Sequence, residues 1–128
     1  MYTDPTQKPK LIILIDDDIK FSIGMVALLK REGYEVVNSR NGKEALELLK
    51  NRKPDLILCD VMMPAPDGLE LKQILNMDAT LRITPFIFMS AKTGQSDREQ
   101  ALALGAADYI LKPFAINELL RKIQQFLK

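Results

Sequence analysis

The sequence predicts an α/β fold, a doubly wound and mostly parallel five-stranded sheet with helices on both faces. Three observations carry this expectation. Short apolar runs alternate five times with segments whose apolar residues recur at helical spacing. The runs are nearly continuous in apolar residues, as strands covered on both faces require. Four of them end in polar chemistry: Ile15 runs into Asp16-Asp17-Asp18, Cys59 into Asp60, Met89 into Ser90, and Leu111 into Lys112-Pro113. In a parallel sheet those four ends share one edge.

The first strand is Leu11-Ile12-Ile13-Leu14-Ile15. Phe21, Met25, Leu28 and Leu29 then mark one face of a helix that Gly33 closes. A weaker second strand spans Tyr34 to Asn38. Asn41 caps the second helix, with Glu44 at the capping-box position and Ala45, Leu48 and Leu49 on its inner face. Pro54 ends that helix, and Asp55 opens the third strand. After a loop over 62–66, Asp67 caps the third helix with Glu70 three residues on, and Leu71, Ile74 and Leu75 face inward. Pro85 precedes the fourth strand, Phe86-Ile87-Phe88-Met89. Ser96 and Glu99 form another capping box, followed by Ala101, Leu102 and Leu104, and Gly105 stops the helix. Tyr109-Ile110-Leu111 is the fifth strand. Ile116, Leu119, Leu120, Ile123 and Leu127 describe a final amphipathic helix.

Composition fits one domain over residues 10–128, preceded by a flexible lead-in over 1–9 that holds two prolines and no apolar stretch. The chain has 128 residues, 47% of them apolar. Its 18 basic and 17 acidic residues are spread along the chain, a balance that argues against a nucleic-acid face or a membrane surface. Apolar runs are far shorter than the roughly 20 residues a bilayer needs. The single cysteine, Cys59, excludes an intrachain disulfide and fits a reducing compartment, so a cytoplasmic location is expected. The absence of histidine removes His-ligated metals, His general bases and phosphohistidine from this chain.

Ligands of an open doubly wound sheet bind beyond the carboxyl ends of the strands, where the strand order reverses. The order 2-1-3-4-5, known for such sheets, leaves strand two and its Ser39-Arg40-Asn41 ending outside the crevice. The switch point then falls between Asp16/Asp17 and Asp60. Three converging carboxylates repel one another unless a cation intervenes. Oxygen ligands alone suit Mg²⁺ or Mn²⁺. Asp60 can then act as a nucleophile without a general base, Lys112 can pair with a phosphoryl oxygen, and Ser90 can donate to another. Taken singly, the aspartates could be caps or turns, the serine a turn hydroxyl and the lysine a solvated charge. Cys59 reads as core packing. Single explanations do not account for four such residues closing four different strands.

The ordered set Leu14-Ile15-Asp16-Asp17-Asp18, Asp60-Val61-Met62-Met63-Pro64, Asp67-Gly68, Ser90-Ala91 and Tyr109-Ile110-Leu111-Lys112-Pro113-Phe114 resembles the receiver domain of two-component response regulators. It is similar to the chemotaxis-regulator kind, and the likeness covers about Lys10 to Lys128. The resemblance implies a flavodoxin-like (βα)₅ fold and a regulatory phosphoacceptor in a phosphorelay. Such a domain is no enzyme in the ordinary sense but assists its own phosphorylation and dephosphorylation. By position, Asp60 is the phosphoacceptor and Asp17 a direct Mg²⁺ ligand. Asp16 acts through ordered water, and the Met62 carbonyl is the third protein ligand. The backbone N–H groups of Met62 and Ala91 complete the phosphoryl cradle. Ser90 is the switch hydroxyl, Tyr109 the switch aromatic, and Lys112 the phosphoryl contact, with Lys112–Pro113 expected cis. A sensor histidine kinase or histidine phosphotransfer protein would supply the phosphoryl group. The face of the fourth helix, fifth strand and fifth helix, with Arg98, Asp108, Glu118 and Lys122, would meet a downstream protein or a second copy.

Two departures stand out. Met63-Pro64-Ala65-Pro66-Asp67-Gly68 carries a second proline, expected to stiffen the loop. Met62 and Lys92 occupy the positions that tune acyl-phosphate lifetime in relatives. A haloacid-dehalogenase-like phosphatase is the enzymatic alternative, but its Asp-x-Asp-x-Thr motif would need threonine where Lys20 stands. A pseudo-receiver that binds partners without phosphorylation is the other.

Overall fold

The computed structural model describes residues 8–91 and 95–127, with the side chains of Gln95 and Ser96 excepted. Expectations for Lys92, for the Ser96 cap side chain and for most of the 1–9 lead-in fall outside the described residues. The elements run β1 (Leu11–Ile15), α1 (Ile19–Arg31), β2 (Glu35–Ser39), α2 (Gly42–Leu49), β3 (Leu56–Asp60) and α3 (Gly68–Leu75). A 3₁₀ turn (Leu81–Ile83), β4 (Phe86–Ser90), α4 (Gln95–Ala103), β5 (Asp108–Leu111) and α5 (Ile116–Phe126) follow.

All strand pairings are parallel, in the order β2-β1-β3-β4-β5. This is the expected doubly wound, flavodoxin-like architecture. Alternation along each strand divides the core in two. Ile13, Ile15, Ile57, Cys59, Phe86, Phe88 and Tyr109 pack with Ala45 and Leu49 of α2, Leu71 and Leu75 of α3, and Ala101 of α4. Ile12, Leu14, Leu58, Ile87, Met89 and Ile110 pack with Met25 and Leu29 of α1 and Leu119 and Ile123 of α5. No helix among the described residues is long and apolar enough to cross a membrane.

Local chemistry sets the helix ends. The Asp18 carboxylate accepts the Phe21 N–H at 3.1 Å and opens α1. Past its end, Gly33 takes φ 98°, a left-handed conformation that glycine adopts without penalty. Asn41 accepts from the Glu44 N–H at 2.8 Å, but Glu44 reaches back to the Arg40 N–H at 3.4 Å, so that box is one-sided. Asp67 and Glu70 form the full reciprocal box, at 2.8 and 2.9 Å. The Asp55 side chain accepts the Leu11 N–H at 2.7 Å, tying the entry of β3 to the start of β1. Helix α4 begins at Gln95, which places Ser96 inside it rather than at its cap.

The inner face of α3 differs from the expectation. Ile74 is 41% exposed, and Lys72 takes the inward position with no exposure at all. Both sets, 71/74/75 and 68/71/72/75, satisfy helical spacing, and close packing at the helix start selects the second. The Lys72 ammonium donates to Asn76 Oδ1 at 2.7 Å and to the Arg82 carbonyl at 3.4 Å, and lies 5.7 Å from the centroid of the Phe86 ring. Neutral oxygens and a ring meet it rather than a carboxylate, and burial pushes its pKa down from the usual lysine value. Exchange of a buried ion pair for packed apolar side chains is often neutral or stabilising, and a buried ammonium met by neutral groups bears its desolvation cost without a counter-charge. Lys72→Met is therefore expected to raise the thermal unfolding midpoint by about 3–5 °C, read by differential scanning calorimetry. A lower midpoint would show that the amine's hydrogen bonds outweigh its desolvation.

Candidate functional site

The parallel register brings the polar strand ends together. Ile15 lies beside Cys59, Asp60 beside Met89, and Ser90 beside Leu111, so the residues that follow or close these strands share one edge. Asp16 is fully buried, Asp17 is exposed, and Asp60 is 9% exposed at the last position of β3. Each of the three offers a carboxylate oxygen within 4.8 Å of the others. Such a set of hard oxygens could hold a divalent cation.

Hydrogen bonds orient the cluster. Asp16 Oδ1 accepts the Asp18 N–H at 2.9 Å, and its Oδ2 takes the Lys112 ammonium at 2.6 Å. The same ammonium stands 3.6 Å from Asp60 Oδ2. Asp60 Oδ1 accepts the Met62 N–H at 3.2 Å. The Asp60 pKa is raised, chiefly by burial; Lys112 opposes the shift, Asp16 adds to it, the Met62 N–H opposes it and Asp17 adds to it. A cation in the crevice would favour the ionised form. Cys59, the preceding residue, is wholly buried, and burial followed by the Asp60 charge pushes its thiol pKa well up, which suits a packing role.

Ser90 is buried at the end of β4, and its carbonyl accepts the Lys112 N–H at 2.8 Å. The Lys112–Pro113 peptide is cis. Ala91 is exposed at the rim, and the Met62 side chain is 56% exposed at the mouth of the crevice. Tyr109 is buried, with its ring 6.4 Å from that of Phe88. The ring of Tyr109, the expected switch aromatic, therefore lies inward in this structure.

Asp17, Val61, Met62, Met63, Pro64, Asp67 and Leu69 line a cleft of about 330 Å³. Pro66, also after a cis peptide, packs on the first residue of α2. A Cβ at Gly42 would lie 2.7 Å from both Pro66 Cγ and its carbonyl oxygen. The second proline therefore docks the loop against a neighbouring helix.

Phe21 joins the site without having been singled out for it in the sequence. Its ring centroid lies 4.0 Å from the Lys112 ammonium, and the ring meets Phe114 edge-on at 6.0 Å and 89°. An aromatic at core spacing reads only as packing, so no sequence signal marked it. Phe21, Ala91, Lys112, Pro113 and Phe114 line an apolar cleft of about 370 Å³ beside the acidic one.

The family model for the response regulator receiver domain matches residues 12–124. The chain is 35% identical over 119 residues to the phosphate regulon transcriptional regulatory protein PhoB of Pseudomonas aeruginosa, covering 93% of this chain and 52% of that protein. It is 38% identical over 120 residues to the response regulator MprA of Mycobacterium sp. strain KMS, covering 94% and 51%. The chain thus spans about half the length of these relatives. Among solved structures, the chemotaxis protein CheY4 of Vibrio cholerae matches with a TM-score of 0.88 at 28% identity, over 93% of this chain and 99% of that one. The BeF₃-activated receiver domain of Klebsiella pneumoniae RstA gives 0.86 at 28%, over 93% and 99%. The matched stretch contains all of the sheet but its first residue, Leu11, together with the acidic crevice at its edge, and on that basis the chain belongs to the receiver-domain family of two-component response regulators.

Proposed function

We propose that this receiver domain is a phosphoryl-accepting switch in which Asp60 takes a phosphoryl group in a Mg²⁺-dependent step. One observation carries the reading: three carboxylates lie within 4.8 Å of one another with the Lys112 ammonium at 2.6 Å from one and 3.6 Å from another. Asp17 and Asp60, the Met62 carbonyl, and Asp16 through ordered water would hold the ion, and Mn²⁺ suits the same oxygens. When bound, the metal offsets the negative charge of the crevice and of the donor.

The protein's own part is nucleophile and cradle. An Asp60 carboxylate oxygen bonds to phosphorus as the bond from phosphorus to the donor's imidazole nitrogen breaks, and the electron pair stays on that nitrogen. Lys112 and the hydroxyl of Ser90 meet the equatorial phosphoryl oxygens, with the N–H groups of Met62 and Ala91. The donor is the phosphohistidine of a sensor histidine kinase or a histidine phosphotransfer protein. Ser90 and Tyr109 pass the change to the α4-β5-α5 face, which carries exposed Arg98 and Glu118 and a Lys122–Asp108 ion pair of 2.8 Å. A downstream protein or a second copy binds there, and phosphorylation shifts an existing equilibrium.

Incubation with acetyl phosphate and Mg²⁺ is expected to add one phosphoryl mass to the chain, and chelation of the metal to prevent it. Asp60→Asn should stay unlabelled under the same conditions. Labelling that persists in this variant would move the acceptor elsewhere. A wild-type chain that accepts no phosphoryl group would favour the pseudo-receiver alternative.

A further inference from the structure

We infer that Phe21 is a positioning residue for phosphoryl transfer, its ring face holding the Lys112 ammonium in the crevice when Asp16 turns to a cation. The inference rests on the phosphoacceptor reading above and adds to it a residue and a role. Lys112 has its shortest bond to Asp16, at 2.6 Å, and stands a full ångström farther from Asp60. Asp16 is one of the three clustered carboxylates, so the water of a cation among them competes with the ammonium for its oxygens. A lysine on a flexible four-carbon stem, released by Asp16, has many rotamers leading to solvent. The ring face of Phe21, 4.0 Å from the ammonium, attracts it independently of Asp16. A hydrated divalent ion, which takes hard oxygen ligands, does not compete for that face.

The ring is itself well placed to hold a position. Phe21 lies in the first turn of α1, where its N–H bonds the Asp18 carboxylate at 3.1 Å. The same helix is anchored in the core through Met25 and Leu29. Phe114, two residues beyond Lys112, packs against the ring in a T-shaped pair. The ammonium is thereby confined between a carboxylate, which changes partner on metal binding, and a ring, which does not. The consequence belongs to the transfer step, where Lys112 must face an arriving phosphoryl oxygen, rather than to metal affinity.

The test measures Asp60 labelling of the full chain by acetyl phosphate at saturating donor and Mg²⁺. Phe21→Leu keeps an apolar side chain without a ring and is expected to slow labelling about three- to tenfold, with the Mg²⁺ half-saturation unchanged. Phe21→Tyr keeps the ring face and should restore the rate to within about twofold. Incorporation of 4-fluoro- and then 3,4,5-trifluorophenylalanine at position 21 preserves shape while draining the ring face, and the rate should fall stepwise. In NMR spectra the Lys112 ε-methylene protons should be shifted upfield by the ring and move back in the Leu variant. A wild-type chain that takes no phosphoryl group overturns the acceptor reading and this inference with it. A labelled wild type whose Leu and trifluoro variants react at its own rate, or whose Lys112 protons are unshifted, overturns this inference alone.

Discussion

Asp17→Ala is expected to lower Mg²⁺-dependent labelling of Asp60 by roughly a hundredfold or more, because removing the carboxylate proposed as a direct metal ligand would cost several kcal/mol of charge stabilisation. The three carboxylates are not equivalent. Asp16 is buried, with one oxygen on the Asp18 N–H and the other on Lys112. Asp60 has one oxygen on the Met62 N–H, and in the proposed transfer the other would meet phosphorus. Asp17 is exposed beside the cleft lined by Val61 and Met62, and can exchange water for a cation with the smallest rearrangement. Intact-mass kinetics across a Mg²⁺ titration give the rate. Thermal melts separate lost binding from lost folding, since an ion that binds only the native state raises the midpoint with concentration. The wild-type midpoint should climb with Mg²⁺ while that of the variant stays flat. Normal labelling of the Ala variant would place the metal on other ligands.

The contrast between Asp17 and Phe21 shows which features a sequence displays. Strand ends were legible because doubly covered strands must be apolar throughout, which makes the first polar residue after Ile15, Cys59, Met89 or Leu111 conspicuous. Parallel pairing then places those residues on one edge, and the structure does bring Asp16, Asp17, Asp60 and Lys112 together. Caps were legible for a related reason, as Asn41 and Asp67 offer side-chain acceptors three residues before a backbone N–H that needs one. The rest depends on packing that periodicity does not encode. Ile74 and Lys72 occupy adjacent stripes of α3, and polarity alone points the lysine outward, yet Asn76 and the Arg82 carbonyl receive it inside. The short 3₁₀ turn after α3 carries no apolar rhythm to announce it. Pro66 reads as a stiff loop residue, but its seat on Gly42 requires knowing that α2 begins beside that loop. Phe21 looks like any core aromatic until the fold brings Lys112, far along the chain, over its face.

Gly68→Ala is expected to destabilise the domain by about 3 kcal/mol, lowering the unfolding midpoint by roughly 10 °C, and to slow Asp60 labelling with it. Gly68 is the first residue of α3, and its N–H donates to the Val61 carbonyl at 2.9 Å. A Cβ there would press on the Asp60 carbonyl oxygen and lie 2.9 Å from Val61 Cα. Both obstacles are backbone, so no side chain can swing aside. The strand end is clamped on two sides by β1 and β4, and α3 is held in place by the reciprocal Asp67–Glu70 box. An added methyl must therefore shift either the helix start or the strand end that carries Asp60, Val61 and Met62. Displacing the second perturbs the carboxylate and the Met62 N–H that bonds it at 3.2 Å. Gly24, mid-helix and exposed in α1, has nothing within 4 Å of the corresponding methyl. There the same substitution should stabilise by about 0.5–1 kcal/mol through helix propensity alone, leaving labelling unchanged. Opposite signs for the two variants in paired denaturant melts would locate the effect in the contact between α3 and the end of β3. Equal stability for Gly68→Ala and wild type would mean that α3 can retreat freely, and that the close approach does not hold Asp60 in place.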